Sequence, residues 1–316
     1  MNHTTAQESI ARRLGADGFA RRMALEQRHE EEFARSRLHF LHRDNWFSHP
    51  HIIRAVLHLT GMYRRGRRNA EAMTLRRNVV RSPTLPAAFE GFTILHLSDI
   101  HADAHEGALC RLIECVEDLR YDICCLTGDY RADSRGDSTP ALLGMGRLME
   151  RLQQPVFAVP GNHDSIDVID GLERVGARML LNESEAISRG DGRIYLAGID
   201  DAHFFHTHDI RRVAAQIPAG SFSVLLSHTP ETFHDAERAG FSLMLSGHTH
   251  GGQICLPGSI PIILDAKLPR RYGAGAWWYG AMQGYTSVGA GTSIVPVRFN
   301  CPPEITLHEL RLSTPP

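Results

Sequence analysis

The sequence predicts an α/β domain over residues 86–316 that follows a helical, arginine-rich extension over residues 1–85. Two observations support this division. After residue 91, five short apolar runs each end in polar side chains that bind metal ions, which is typical of an α/β sheet whose loops converge on one site. The N-terminal part is rich in charge, and proline at both ends of the Pro83–Pro86 segment predicts a linker, because proline disfavours helix.

Each of the five runs predicts a buried strand with candidate ligands in the loop that follows it. The runs cover residues 92–97, 123–127, 156–159, 222–226 and 241–245. In the same order, they lead to Asp99 and His101, to Asp129, to Asn162, His163 and Asp164, to His228, and to His248 and His250. Packing alone does not explain why every run ends in such residues. We therefore expect these loops to meet at one edge of the sheet.

The residue types at these ends indicate a two-metal hydrolase. Carboxylate, imidazole and amide oxygen suit Mn²⁺, Fe, Zn²⁺ or Mg²⁺, whereas a structural zinc site prefers thiolates, and no Cys lies in the five motifs. Two cations about 3.5–4 Å apart need a shared ligand, and a carboxylate serves both because it has two oxygens. Asp129 is the candidate for this bridge, since it stands alone in its motif.

The motifs Asp-x-His, Gly-Asp, Gly-Asn-His-Asp, His and Gly-His-x-His, in this order, resemble the calcineurin-like metallophosphoesterase superfamily from about residue 92 to the end of the chain. The resemblance implies a sandwich of two mixed β-sheets flanked by helices. It also implies two divalent metal ions, for which Mn or Fe is expected and Zn or Mg is an alternative. The implied ligands are Asp99, His101, Asp129 and His250 for one ion, and Asp129, Asn162, His228 and His248 for the other.

The resemblance also implies catalytic residues that do not bind metal. His163 is expected to protonate the leaving group or stabilise charge at the scissile phosphate, and Asp164 to hold the His163 ring in the required tautomer. The metals would lower the pKa of the attacking water. Arg298 is a candidate for binding the substrate phosphate, because guanidinium matches phosphate oxygens, with a salt bridge or a loop cap as the alternative role.

The C-terminal motifs narrow the resemblance to a bacterial branch with membrane-associated phosphodiesterases and UDP-2,3-diacylglucosamine pyrophosphatases. The motifs lie at residues 247–254, 289–293, 296–300 and 303–305. They imply hydrolysis of a phosphoester or pyrophosphate bond in a lipid-linked or nucleotide-sugar substrate. A general or cyclic-nucleotide phosphodiesterase is the alternative within enzymes. A non-catalytic, metal-stabilised binding scaffold is the alternative of another class, although such scaffolds usually have degraded motifs.

The N-terminal part leaves several roles open. It has no apolar stretch near the roughly 18–20 residues of a membrane span and no secretory signal pattern, so we expect a cytoplasmic protein. The apolar spacing over residues 52–63 predicts an amphipathic helix beside an arginine cluster. That helix either contacts the inner membrane or an acyl-bearing substrate, or packs on the catalytic domain. Residues 13–43 predict a charged helix that pairs with a second subunit in one interpretation; the oligomeric state is left open.

Composition limits the remaining possibilities. A formal net charge of −2 gives no global field for nucleic acid, so no nucleic-acid partner is expected. The six cysteines lack metal-type spacing, and two of them are adjacent in a predicted strand, which favours reduced, buried thiols.

Overall fold

The computed structural model describes residues 3–36 and 48–313. Four helices come first: α1 (His3–Leu14), α2 (Ala16–Ser36), α3 (Ser48–Leu59) and α4 (Tyr63–Ala70). The later helices are α5 (Glu106–Glu117), α6 (Thr139–Met149), α7 (Ile166–Arg174), α8 (Ile210–Ala214) and α9 (Phe233–Arg238). Among the described residues, no helix is both long enough and apolar enough to cross a membrane.

The strands form two large sheets and a small hairpin. They are β1 (Thr74–Ser82), β2 (Thr93–Leu97), β3 (Ile123–Thr127), β4 (Val156–Val159), β5 (Arg178–Met179), β6 (Glu183–Arg189), β7 (Gly192–Gly198), β8 (Ser223–Leu226), β9 (Leu243–Ser246), β10 (Cys255–Leu256), β11 (Ile260–Pro261), β12 (Gly275–Tyr279), β13 (Met282–Thr286) and β14 (Glu304–Leu312). The first sheet has the order β1-β14-β2-β3-β4-β5 and the second β12-β13-β9-β8-β7-β6, while β10 and β11 pair with each other.

Both large sheets are mixed. In the first, only the β14–β2 pair is antiparallel. In the second, β12–β13 and β6–β7 at the two edges are antiparallel, and β7, β8, β9 and β13 run parallel. The parallel strands β2, β3, β4, β8 and β9 are the five runs expected from the sequence, so their carboxyl ends supply the candidate ligands. The prediction of two mixed sheets flanked by helices is confirmed.

The core lies in three layers around the sheets. Between the sheets, β2 to β4 contribute Ile94, Cys125 and Phe157, which belong to one apolar cluster with Val224 and Leu245 of the second sheet. A second cluster joins the other face of the first sheet to α5, α6 and α7. A third covers the second sheet with α8 and α9. Since both faces of each central strand are buried, these strands are mostly apolar and do not alternate between apolar and polar residues.

The prediction that residues 1–85 are helical is wrong for β1. This strand pairs in parallel with β14 over nine residues, from Thr74 opposite Glu304 to Ser82 opposite Leu312. Val80 and the linker residue Leu85 both lie buried in the core between the sheets. A strand whose partner lies about 230 residues away has no local signal that distinguishes it from the charged helix before it. The domain boundary at residue 85 stays a prediction.

The helices α1 and α2 pack on the catalytic part of the chain. Ile10 and Leu14 of α1 are buried in the cluster beneath α7. Arg13 pairs with Glu173 at 2.6 Å and with Glu183 at 2.9 Å. Residues 37–43 of the helix predicted over residues 13–43 lie outside the described residues.

The predicted helix over residues 52–63 ends at Leu59, and α4 begins at Tyr63 after Gly61, whose φ of 69° is accessible to glycine. Ile53, Leu57 and Tyr63 pack against a cluster of Val295, Val297 and Phe299. We call these three C-terminal residues the 295–299 cluster. One side of α3 thus packs on the catalytic part of the chain. This agrees with the second of the two roles expected from the sequence, in which the helix packs on the catalytic domain.

Candidate metal centre

The candidate ligands lie in tightly turned loops directly after the strands. Five of them have a positive φ, in the region that side chains other than glycine rarely adopt: Asp99 (51°), His101 (42°), Asp129 (57°), His248 (70°) and His250 (49°). Each such residue costs about 1–3 kcal/mol, so the surrounding structure has to hold it. Outliers of this kind cluster at functional sites, and here they coincide with the residues selected from the sequence.

The first group contains Asp99, His101 and His250, whose ligand atoms lie within 4.8 Å of one another. His101 Nε2 lies 3.2 Å from His250 Nε2, and His250 Nε2 lies 3.4 Å from Asp99 Oδ1. The backbone carbonyl of Arg131 accepts a hydrogen bond from His101 Nδ1 at 2.7 Å. This bond fixes the tautomer, so His101 presents the lone pair of Nε2 to the group.

The second group contains Asp129, His228 and His248, also within 4.8 Å. His228 Nε2 lies 3.1 Å from His248 Nδ1 and 2.9 Å from Asn162 Oδ1. The Thr127 carbonyl accepts from His228 Nδ1 at 2.7 Å. With Nδ1 donating to this carbonyl, Nε2 of His228 faces the amide oxygen of Asn162, which is an acceptor, so either a proton on Nε2 or a cation between the two atoms satisfies this contact.

Asp129 lies between the groups. Its Oδ2 is 3.9 Å from His101 Nε2 of the first group and 3.4 Å from His228 Nε2 of the second. The carboxylate is buried, and its Oδ1 accepts from the backbone N–H of His163 at 3.0 Å. One carboxylate thus faces both groups, which is the position that a bridging ligand requires.

The electrostatics of the groups fit divalent cations. Burial lowers the pKa values of His101, His248 and His250, which keeps these imidazoles neutral and able to bind metal. Burial acts most strongly on His228 and lowers its pKa, but the charge and hydrogen bond of Asp129, together with the charges of Asp99 and Asp201, outweigh burial and raise the pKa of His228 to about 10. The field of the carboxylates therefore favours positive charge at this position. Oxygen and neutral nitrogen donors around such a field suit the ions expected from the sequence.

A comparison with protein families assigns this arrangement. The family described as Calcineurin-like phosphoesterase matches residues 92–252, which is more than half of the chain and includes every candidate ligand. The chain belongs to this family. Calcineurin-like phosphoesterases use dinuclear metal centres, and the two groups are the candidate positions in this member.

Bacterial relatives support the assignment. The metallophosphoesterase YkoQ of Bacillus subtilis (strain 168) is 30% identical over 236 residues, covering 72% of this chain and 86% of YkoQ. YkuE of the same organism is 29% identical over 244 residues, covering 74% and 84%. The phosphodiesterase YaeI of Escherichia coli (strain K12) is 28% identical over 233 residues, covering 69% and 82%. Together they support a metal-dependent phosphoesterase.

The contacts of Asp164 in this calcineurin-like phosphoesterase differ from those expected. Its carboxylate accepts from the backbone N–H groups of Asp129, Tyr130 and Gly161 at 2.8–3.0 Å, so it ties two ligand loops together. The Ser134 hydroxyl, not Asp164, lies beside His163 Nδ1, at 3.1 Å. The expectation that Asp164 orients the His163 ring is therefore corrected: three N–H groups already occupy its oxygens.

Arg298 also differs from its expected role. The side chain is fully buried, and its nitrogens donate to the backbone carbonyls of Val288, Gly289, Gly291 and Cys301. These bonds organise the loop whose Gly291 N–H donates to the Asp99 carbonyl at 2.8 Å. The guanidinium thus acts on the loop around Asp99, which is closer to the alternative role of a loop cap than to phosphate binding.

Sequence reasoning gave little weight to two residues near the second group. The His203 ring lies 4.1 Å from that of His248, and its Nδ1 is 2.9 Å from Glu231 Oε2. Glu231 follows the candidate ligand His228 by three residues, but many carboxylates have such a position without a role. The available signal for His203 was its place among three histidines, 203, 206 and 208, shortly after β7, and the structure places its ring beside that of His248. Cys124, Cys125, Cys255 and Cys301 are buried free thiols, while Cys110 and Cys115 are half-buried.

Proposed function

We propose that this chain hydrolyses phosphodiester or pyrophosphate bonds through a dinuclear centre. Asp99, His101 and His250 would hold one ion, Asn162, His228 and His248 the other, and Asp129 both. The observation that carries this proposal is the position of Asp129 Oδ2, which lies within 4 Å of a histidine nitrogen of each group. Mn or Fe is the proposed metal.

Two divalent cations held by these residues would supply Lewis acidity and would lower the pKa of an attacking water. The protein supplies the remaining chemistry. His163 Nε2 lies 3.9 Å from Asp129 Oδ2, and its side chain is one of the more exposed around the centre. From this position His163 protonates the leaving oxygen or stabilises its charge, while the Ser134 hydroxyl orients the ring through Nδ1.

The test is Asp129→Asn, with the Mn²⁺-loaded protein assayed on bis-p-nitrophenyl phosphate and metal content measured by elemental analysis. We expect loss of activity and of metal at both positions, because a neutral amide bridges two cations poorly. Asp191→Asn, in the exposed turn between β6 and β7, is the control and should behave as the parent. Two ions per chain and retained activity in Asp129→Asn would overturn the proposal.

His163→Ala separates catalysis from metal binding. Turnover should fall by about 10²–10⁴, the usual contribution of a positioned acid or base, with metal content unchanged. Loss of metal together with activity would show that His163 is a ligand.

For the substrate we propose a lipid-linked or nucleotide-sugar phosphate, with UDP-2,3-diacylglucosamine as the first to assay. Exposed apolar residues support contact with lipid. Ile52, Val56 and Leu59 of α3 face solvent, as do Leu256 and Ile260 of the hairpin that follows the His250 loop. Ile254, just before the hairpin, packs on the same 295–299 cluster as α3, so the two apolar groups adjoin one cluster.

A substrate panel distinguishes the alternatives. The Mn²⁺-loaded protein is assayed on bis-p-nitrophenyl phosphate, p-nitrophenyl phosphate, cyclic nucleotides and UDP-2,3-diacylglucosamine. We expect the highest kcat/KM on the last. Preference for cyclic nucleotides would instead identify a cyclic-nucleotide phosphodiesterase, and no turnover of any of these would favour a binding scaffold.

A further inference from the structure

A pocket of about 310 Å³ lies beside the metal centre, between α2 and the loop that follows Asp129. Its lining includes His163 and Ser134 on the side of the centre, Met23 and Glu26 of α2, and Arg131. This volume is at the lower end for small-molecule sites and suits a small group rather than a polymer. α2 lies outside residues 92–252, so part of the wall comes from a segment that the family match does not include.

Arg131 is the unusual residue of this pocket. It is only 3% exposed, and one of its terminal nitrogens donates to the carbonyls of Arg135 and Gly136. Its Nε, also buried, has no hydrogen-bond partner among the described residues. No carboxylate in the described part of the chain forms an ion pair with it. Hydrogen bonds of Thr139 lower the pKa of the exposed Asp137 and the charge of Arg131 contributes to this shift, but the Asp137 carboxylate lies beyond ion-pair distance. A buried guanidinium with no close counterion and an unpartnered Nε fits an anion brought by a ligand.

The backbone connects Arg131 to the centre. Its carbonyl accepts from His101 Nδ1, and only Tyr130 separates it from Asp129, so the guanidinium is held by the same loop as the proposed bridge. α2 is fixed equally firmly on the opposite wall. The Glu26 carboxylate accepts from the backbone N–H of Ile166 at 3.1 Å and pairs with Arg22 at 3.2 Å. The pocket is thus built of positioned side chains.

We propose that this pocket binds the part of the substrate beyond the scissile bond, and that Arg131 binds a second phosphate there, as in a diphosphate diester. The proposal rests on the proposed function, since the first phosphate must lie at the metal centre.

Water adds a hydroxyl to the first phosphorus, and the bond from that phosphorus to the bridging oxygen breaks. The bridging oxygen leaves with the electron pair on the second phosphate and takes the remaining proton of the water, so two phosphomonoesters form. Arg131 offsets the negative charge of the departing second phosphate.

The test compares two competitors of bis-p-nitrophenyl phosphate hydrolysis: UDP-glucose, which has two phosphates, and the methyl ester of uridine 5′-phosphate, which has one. For the parent we expect UDP-glucose to have an inhibition constant at least about tenfold lower, since charge-assisted hydrogen bonds contribute about 1.5–3 kcal/mol. Arg131→Gln should remove this difference and Arg131→Lys should retain part of it. Equal constants in the parent, or an unchanged ratio in Arg131→Gln, would overturn the proposal.

A second variant avoids the loop that Arg131 supports. Gln27 of α2 also lines the pocket, and Gln27→Glu adds a negative charge there without changing shape. This substitution should weaken the binding of UDP-glucose more than the binding of the monophosphate ester. Ala24→Glu adds the same charge at an exposed position of α2 and should leave both constants unchanged. An equal effect of Gln27→Glu on both competitors would contradict the proposal. If the parent does not hydrolyse bis-p-nitrophenyl phosphate at all, the proposed function itself fails, which is a separate outcome.

Discussion

The helices α2 and α3 both carry apolar residues beside arginine but lie differently in the protein. α2 has several arginines and acidic residues, whereas α3 has one arginine, Arg54. In α2, Arg22 is completely buried, with Asp200 as its ion-pair partner and the Asp164 carbonyl as a further acceptor. In α3, by contrast, Ile52, Val56 and Leu59 are 60%, 51% and 88% exposed. The helix with the buried cation lines the pocket beside the candidate centre, and the other helix leaves one apolar side uncovered by the described residues.

The difference arises from what each helix finds opposite it. The Arg22 guanidinium lies 4.1 Å from the Phe205 ring centre and near Asp200, so its charge is paired and its plane is stacked. Among the described residues, the 295–299 cluster packs against Ile53 and Leu57 of α3, whereas Ile52, Val56 and Leu59 stay exposed. A charged helix can therefore be an integral wall of a site, and an amphipathic helix can keep half of its apolar surface exposed.

Among the substitutions that test the difference between α2 and α3, we expect the largest loss of stability at Arg22. Arg22→Met removes one partner of a buried ion pair and leaves Asp200 uncompensated, which should cost about 3–5 kcal/mol of unfolding free energy. Arg28→Met, at an exposed position of the same helix, should change it by less than about 0.5 kcal/mol. Urea denaturation of both variants measures this. Equal stability of the two would show that α2 is not anchored by Arg22.

Glu26 predicts a pH dependence of the same anchor. Burial, opposed only in part by Arg22, raises the pKa of Glu26 to about 7. The folded state therefore binds the proton more tightly than the unfolded state, and stability falls as pH rises from about 4.5 to about 7. The full effect is about 3 kcal/mol, from a shift of about 2.5 units. Glu26→Gln should remove this contribution, so the parent and the variant should converge in stability near pH 4.5 and diverge by pH 7. Parallel curves of stability against pH for the parent and Glu26→Gln would contradict this prediction.

The sequence predicted candidate ligands that the structure brings together in two groups, and it failed on their surroundings for physical reasons. Asp99 and His250 could be identified from the sequence because each follows an apolar strand, and both the end of a strand and the type of ligand residue are local features of a sequence. The contact of Ser134 with His163 and the pocket at Arg131 depend on how a loop folds back, which no spacing encodes. Asp164 was misassigned because a carboxylate beside a histidine in sequence need not touch it in space.

Gly66 tests how tightly α4, which follows α3, is attached. A Cβ at this position would lie 2.7 Å from atoms of Val297 and Phe299, so Gly66→Ala must push the helix away from the cluster. We expect a loss of about 1–3 kcal/mol, as for other overpacked sites. Gly18→Ala in α2 is the matched control, because its nearest neighbour would be an ordinary contact at 3.6 Å from Leu14. That variant should be neutral or gain up to about 1 kcal/mol from helix propensity. A stable Gly66→Ala protein would mean that α4 shifts freely.

The smallest effect on stability, and the sharpest test of α3, is expected from replacing its exposed apolar residues. The triple variant Ile52→Ser, Val56→Ser and Leu59→Ser should have a free energy of unfolding within about 0.5 kcal/mol of that of the parent, because these side chains already face water. Ile53→Ser, on the side that packs against the 295–299 cluster, should lose more than about 1 kcal/mol.

Vesicle binding then separates the two roles of α3. Exposed Arg54, Arg64 and Arg65 lie in the same part of the chain, so the parent should bind vesicles that contain phosphatidylglycerol and bind them less at high salt. The triple variant should bind at least tenfold more weakly, since three apolar side chains each contribute on insertion. Its rate on bis-p-nitrophenyl phosphate should match that of the parent, because α3 has no residue in the metal centre. Unchanged vesicle binding in the triple variant, or a parent that ignores vesicles even at low salt, would remove the lipid contact and leave the exposed side of α3 as ordinary protein surface.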